Sequence, residues 1–153
     1  MDGLDALLAK AERVEALSAT LYRRLAEGLA SGSGARVTFA RLAAEEEEHA
    51  ARIRLLKTRI EARPWNPELT LDLAGAEAMV ADAEALLGLV EAEGPPASVE
   101  GAARLMIESE RRLSAVHAHE LVAGDPELES FFAELAMQDQ VHLEILRRLD
   151  ERR

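Results

Sequence analysis

Four acids interrupt four otherwise apolar helical seams, and this feature constrains the fold more than any other. One seam runs Leu4, Leu8, Ala11, Glu15, Ser18, Tyr22, Leu25, Leu29. A second runs Phe39, Leu42, Glu46, His49, Ile53, Leu56, Ile60. A third runs Val99, Ala103, Met106, Glu110, Leu113, His117, Leu121, and a fourth Leu128, Phe131, Leu135, Asp139, His142, Ile145, Leu149. Steps of three and four residues place each set on one helix face. A carboxylate buried without a partner costs several kcal/mol, and four held close together also repel. No lysine or arginine lies on these seams to offset them.

Breakers divide the chain at Ser31-Gly32-Ser33-Gly34, Pro64 to Pro67, Gly94-Pro95-Pro96 and Gly124-Asp125-Pro126. Between them lie helical stretches at roughly 3–30, 35–62, 71–93, 98–122 and 126–151. Ser98 and Asp125 suit N-caps, and Pro126 suits a first helical position. Alanine, leucine and glutamate make up about half the residues, which favours helix over strand. No stretch alternates apolar and polar residues as a half-buried strand would. The expected fold is therefore all-α, a single domain over 1–153. A helical hairpin over 3–62 and another over 98–151 form a four-helix bundle, joined by a connector over 63–97 with its own helix. That helix carries a weaker stripe of Ala76, Met79, Ala83, Leu86 and Val90. At ~1.5 Å per residue it spans about 33 Å, enough to return the chain to the far end of the bundle. Packing of its alanine-rich face across a second copy would make a homodimer, and exchange of hairpins between chains is one arrangement of it.

Twenty-nine acids against 18 bases give a net charge of −11. Nucleic acid and anionic membrane surfaces, which need a basic face, are poor partners for such a chain. No apolar run approaches the ~20 residues of a membrane span. The acidic start MDGLDALL does not resemble a secretory signal, so the expected location is the cytoplasm. The absence of cysteine removes disulfides, thiolate nucleophiles and cysteine-ligated metals from the available chemistry.

The seam acids form a repeated arrangement. Glu15 is followed 31 residues later by Glu46-x-x-His49, and Glu110 is followed 29 residues later by Asp139-x-x-His142. Residues i and i+3 share a face, so Glu46 and His49 can point at one metal ion and Asp139 and His142 at its neighbour. Glu15 and Glu110 come from the two remaining helices. This is the donor set of di-iron and di-manganese carboxylate bundles. Two divalent cations would balance four carboxylates. Each piece alone has an ordinary reading: Glu45 to Glu48 could be a solvated charge run, and a lone histidine a core or surface residue. Four consecutive helical residues cover every face, however, so one of the run must point inward. Tyr22 and His117 stand seven residues after Glu15 and Glu110 respectively. Each either packs in the core or hydrogen-bonds a ligand and handles a proton. His119 falls on another face and is expected to be exposed.

The pattern Glu15…Tyr22, Glu46-x-x-His49, Glu110, Asp139-x-x-His142 resembles the ferritin-like domain of the rubrerythrin family across 1–62 and 98–151. The resemblance implies a non-haem centre of two iron ions, with manganese a possible substitute. It also implies reduction of hydrogen peroxide and often a dimer. Its ligands would be Glu15, Glu46, His49, Glu110, Asp139 and His142. Three departures are visible. Asp139 stands where the family usually has glutamate. The second glutamate expected one turn from Glu110 is replaced by Met106, Ile107, Leu113 and Ser114 on that face. The cysteine-bound rubredoxin module is absent, so electrons would come from a separate donor protein. The leading expectation is an oxidoreductase acting on hydrogen peroxide or dioxygen. An iron-binding or ferroxidase protein without peroxidase turnover, and a metal-free helical interaction module, remain open at this point.

Overall fold

The computed structural model describes residues 2–64, 66–117 and 121–151, with residues 2 and 114–117 described by backbone alone. Its helices are α1 (Asp2–Gly28), α2 (Gly34–Glu61), α3 (Leu73–Glu93), α4 (Val99–His117) and α5 (Pro126–Glu151). Two short extended segments, β1 (Thr70–Leu71) and β2 (Val122–Ala123), pair antiparallel. Apart from this pair the described chain is helix and connecting loop, and the architecture is an all-α, ferritin-like bundle.

Helix starts follow local chemistry. The Ser33 hydroxyl accepts the backbone N–H of Arg36 at 3.2 Å and opens α2. Ser98 accepts from the N–H of Gly101 at 3.0 Å at the start of α4. Asp125 accepts from the N–H groups of Glu127 and Leu128 at 3.0 and 3.1 Å, with Pro126 as the first residue of α5. These oxygens satisfy amide donors that a helix start leaves without intrahelical partners.

Helices α1 and α2 form one hairpin, and α4 and α5 the other. Two apolar clusters fill the ends of the bundle. One combines Leu4, Leu7, Leu8 and Ala11 of α1 with Ile53, Leu56 and Ile60 of α2, Leu113 of α4, and Leu128, Phe132 and Leu135 of α5. The other combines Leu21, Tyr22 and Leu25 of α1 with Phe39 and Leu42 of α2, Ala102 and Met106 of α4, and Leu143 and Leu146 of α5. Ala76 and Met79 of α3 join the first cluster and Val90 joins the second. The connector therefore carries the chain from one end of the bundle to the other, as its length requires.

Three sequence expectations are corrected. The fourth helical stretch does not continue to 122: α4 is Val99–His117, and Val122–Ala123 is a strand. The reason is the contact with the loop before α3. Leu121 accepts the N–H of Asp72 at 2.8 Å, and the Gly124 carbonyl accepts from the Asn66 amide at 3.0 Å. Gly124 has φ of +92°, and a Cβ there would lie 2.1 Å from the Glu68 carbonyl oxygen, so only glycine fits. On α5, Phe132 and Leu146 are buried where Phe131 and Ile145 were expected, and these two are partly exposed. The buried face runs Leu128, Phe132, Leu135, Asp139, His142, Leu146, Leu149, so the steps after Leu128 and His142 are four residues rather than three, which keeps the stripe closer to the 3.6-residue helical period. Finally, the buried stripe of α3 (Ala76, Met79, Ala83, Val90) has a partner in the same chain. This helix packs along α1, bordered by the ion pairs Lys10–Glu77, Arg13–Glu84 and Arg24–Glu91. Its alanine-rich face therefore needs no second copy to cover it.

Candidate metal centre

Between the two apolar clusters, one layer of the bundle is polar. Glu15 and Ser18 of α1, Glu46 and His49 of α2, Ser109 and Glu110 of α4, and Asp139 and His142 of α5 are all buried there. The six residues expected as ligands are each at most 4% exposed. The seam spacing accounts for this: each helix contributes one inward acid at mid-length, and the i+3 step brings a histidine onto the same face.

The six residues form two interlocked groups. Glu15, Glu46 and His49 offer ligand atoms within 4.8 Å of one another, and so do Glu46, Glu110, Asp139 and His142. Glu46 belongs to both. The pairs read from the sequence are thus joined rather than separate. His49 Nδ1 lies 3.6 Å from both Glu15 Oε2 and Glu46 Oε2. His142 Nδ1 lies 2.8 Å from Glu46 Oε1 and 3.7 Å from Glu110 Oε1. The two imidazole rings are stacked, with centroids 5.8 Å apart and planes 9° from parallel. Asp139, one methylene shorter than glutamate, still delivers an oxygen to the second group.

Tyr22 combines the two roles open to it. It is fully buried, packs at 5.9 Å from the Phe39 ring, and meets His142 edge-on at 6.2 Å. Its hydroxyl also donates to Glu110 Oε1 at 2.8 Å, tying α1 to α4. Burial, and then the neighbouring Glu110 and Glu46 charges, raise the Tyr22 pKa well above 10, so the group remains a neutral donor. The side chain of His117, and all of His119, lie outside the described residues.

Protons are held tightly in this layer. Burial raises the Glu46 pKa, and the Glu15 and Glu110 carboxylates raise it further. At His142 burial works against the charged ring, but Glu110 and Glu46 outweigh it and push the pKa up to about 11. His49 follows the same pattern: burial opposes protonation and the adjacent Glu15 carboxylate overcomes it. Among the described residues no lysine or arginine is buried to share this charge.

The donor set fits a pair of divalent cations. Glu110 Oε2 is buried with no hydrogen-bond partner, an expensive condition for a carboxylate oxygen that a cation would relieve. Carboxylate oxygens mixed with imidazole nitrogens suit iron or manganese. A cleft of about 310 Å³ opens above the layer between α2 and α5, lined by Glu45, Glu48, His49, Gln138, Val141 and His142. The two histidines form its floor, so a small molecule has a route to them.

One polar neighbour was not singled out by sequence reasoning. Glu45 Oε2 lies 2.8 Å from His142 Nε2, the ring nitrogen facing away from Glu46. Its only sequence signal is its position in the run Glu45 to Glu48, where Glu46 drew the inward reading.

A family model described as Rubrerythrin matches residues 6–150, nearly the whole chain and all six of these side chains. Comparison with curated proteins and with solved structures finds no match. No helix among the described residues is long and apolar enough to cross a membrane. A ferritin-like bundle, a buried carboxylate–histidine layer that could bind metal, and the extent of the family match together identify the chain as a member of the rubrerythrin family.

Proposed function

We propose that this protein is a non-haem di-iron carboxylate oxidoreductase that reduces hydrogen peroxide or dioxygen with electrons from a separate donor. The observation carrying this reading is the pair of interlocked ligand groups sharing Glu46. Glu15, Glu46 and His49 would hold one ion; Glu110, Asp139 and His142, with Glu46 shared, would hold the other. When bound, two iron ions supply Lewis acidity and two reducing equivalents at one place.

The chain's own residues have definable parts in this chemistry. Tyr22 fixes Glu110 through its hydroxyl and keeps that carboxylate turned into the layer. The apolar clusters above and below exclude water from the bundle axis and leave the α2–α5 cleft as the approach for a small oxidant. Reduction of hydrogen peroxide to two waters takes two electrons and two protons. These 153 residues hold no cysteine for a thiolate-bound electron carrier, and the reading assigns the electrons to a separate donor protein. The proposal includes a cytoplasmic location and a homodimer; with α3 packed on α1, the dimer rests on the rubrerythrin likeness, and light scattering at high concentration should give twice the chain mass.

A second reading is an iron-binding or ferroxidase protein, favoured by the carboxylates of Glu45 and Glu48 at the cleft, which would attract ferrous ion. Two measurements decide. Anomalous scattering after iron or manganese loading should give peaks beside His49 and His142; an empty map would remove the metal centre. Stopped-flow traces of ferrous-loaded protein should show faster reaction with hydrogen peroxide than with dioxygen. The opposite order would favour the ferroxidase.

A further inference from the structure

We propose that Glu45 is a positioning residue for the metal centre: it accepts the Nε2–H of His142 and thereby fixes the tautomer and angle at which Nδ1 is presented to the site. This inference rests on the metal-centre reading above.

The geometry around His142 has two distinct sides. Nδ1 faces inward, 2.8 Å from Glu46 Oε1 and 3.7 Å from Glu110 Oε1. Nε2 faces the cleft and lies 2.8 Å from Glu45 Oε2. A neutral imidazole carries its proton on only one nitrogen. An acceptor at Nε2 holds the proton there and leaves the Nδ1 lone pair free for a metal. Without that acceptor the preference for a proton on Nε2 is lost: the ring could place its proton on Nδ1, toward Glu46, where it would compete with the metal. A carboxylate acceptor also makes the ring a stronger donor to the metal.

The other oxygen of Glu45, Oε1, lies 3.9 Å from Arg41 Nε one helical turn earlier. The side chain is 40% exposed, whereas His142 beneath it is 2% exposed. Glu45 therefore spans the boundary between solvent and the buried layer. Glu48 lines the same cleft and, among the described residues, makes no hydrogen bond or ion pair with either histidine. Two carboxylates at one opening thus have different surroundings. Glu45 also sits beside Glu46 on α2, so one helix turn supplies both a candidate ligand and the group that orients a ligand on α5.

Zinc is a suitable probe because it is diamagnetic and redox-silent. Calorimetric titration of wild type, Glu45→Ala, Glu45→Gln and Glu48→Ala measures affinity. Proton–nitrogen NMR of labelled histidine in the zinc-loaded proteins reads the ring tautomer. Glu45→Ala should bind zinc about 10- to 100-fold more weakly, the usual cost of removing such a partner. Its His142 Nε2–H signal should lose its hydrogen-bonded shift. Glu45→Gln keeps an acceptor oxygen and should recover most of the affinity and the Nε2–H tautomer. Glu48→Ala removes the same charge from the same cleft and should leave both readouts unchanged.

Equal losses for Glu45→Ala and Glu48→Ala would reduce the effect to net charge and overturn the proposal. Unchanged affinity and tautomer in Glu45→Ala would overturn it while leaving the metal centre intact. Failure of the wild type to bind zinc would overturn the metal-centre reading and this inference together. Both positions lie on a helix surface, so unchanged far-ultraviolet circular dichroism separates these outcomes from misfolding.

Discussion

The bundle's two ends and its middle place opposite demands on the same four helices. At the ends, Leu8, Leu56, Leu128 and Leu135 on one side and Leu25, Phe39, Leu42 and Leu146 on the other bury apolar surface, and each contact favours folding. In the middle, Glu15, Glu46, Glu110 and Asp139 meet in a layer where burial and mutual repulsion oppose folding. The ends can therefore hold together a middle that would not assemble by itself. The difference separates what makes the fold from what gives it chemistry, and substitutions in the two regions should respond differently to metal.

The largest effect is expected in the apolar ends. Leu8→Ala and Leu42→Ala each remove a fully buried side chain and leave a cavity. Each should cost about 2–5 kcal/mol in urea unfolding. The loss should be the same with chelator and with manganous ion, because both residues belong to the apolar clusters and neither supplies a carboxylate or imidazole to the layer. A metal-dependent loss would mean that the ends and the middle are not separable.

The middle should show the reverse sign. Excess manganous ion at ~100 times its dissociation constant should stabilise the wild type by about 2.7 kcal/mol. Glu15→Leu removes a buried carboxylate and one of the charges that raise the Glu46 pKa. In chelator, the variant should melt at a higher temperature than wild type, since an apolar residue of similar volume replaces a costly charge. In manganous ion the shift should shrink or vanish. A full metal-induced shift in the variant would remove Glu15 from the site.

Tyr22 belongs to both regions, packing with Phe39 and hydrogen-bonding Glu110. Tyr22→Phe keeps the ring and removes the donor. It should cost about 1.5–3 kcal/mol in the metal-free protein, the range for a hydrogen bond to a charged group. The cost should fall when metal is bound, because a cation then shares the Glu110 charge. A cost independent of metal would assign Tyr22 to packing alone.

The seams explain why so much of this was legible in the chain. Period and burial coincide along α1 and α2, where every residue of both expected stripes is buried. The carboxylates could be found because each violates a local apolar pattern. Sequence distance then paired them, since equivalent acids recur 31 and 29 residues before their partners. The features missed depend on contacts between segments. Strand β2 exists because Asp72 reaches the Leu121 carbonyl, and no local pattern encodes that pairing. Glu45 meets His142 across 97 positions, and its run of four glutamates hides which of them turns toward α5. The sharing of Glu46 depends on how closely α2 approaches α4 and α5, which periodicity does not specify.

The smallest effect per unit change is the pH slope, and it distinguishes the regions without any substitution. In metal-free protein the folded His142 pKa is pushed up to about 11 from 6.5. A raised folded pKa adds stability that is fully present below the unfolded value and is lost as pH climbs through the folded one. Glu46, also raised, has the same sign. The His142 part of the metal-free stability should therefore fall from about pH 6.5 toward pH 11, with a slope of at most about 1.4 kcal/mol per pH unit for its one proton. Asp125 has the opposite sign. Although burial opposes its charge, the Leu128 amide and Arg63 hold its pKa below 3.8, so its contribution is present above 3.8 and lost in stronger acid. Metal reverses the alkaline trend, because cations compete with the protons on Glu46 and His142 and bind more strongly as those protons leave. Over the same interval, the gap between melting temperatures with manganous ion and with chelator should widen as pH rises. Leu8→Ala should lower both curves in parallel and leave the gap unchanged. Parallel wild-type curves would show that the histidine–carboxylate layer does not exchange protons for metal.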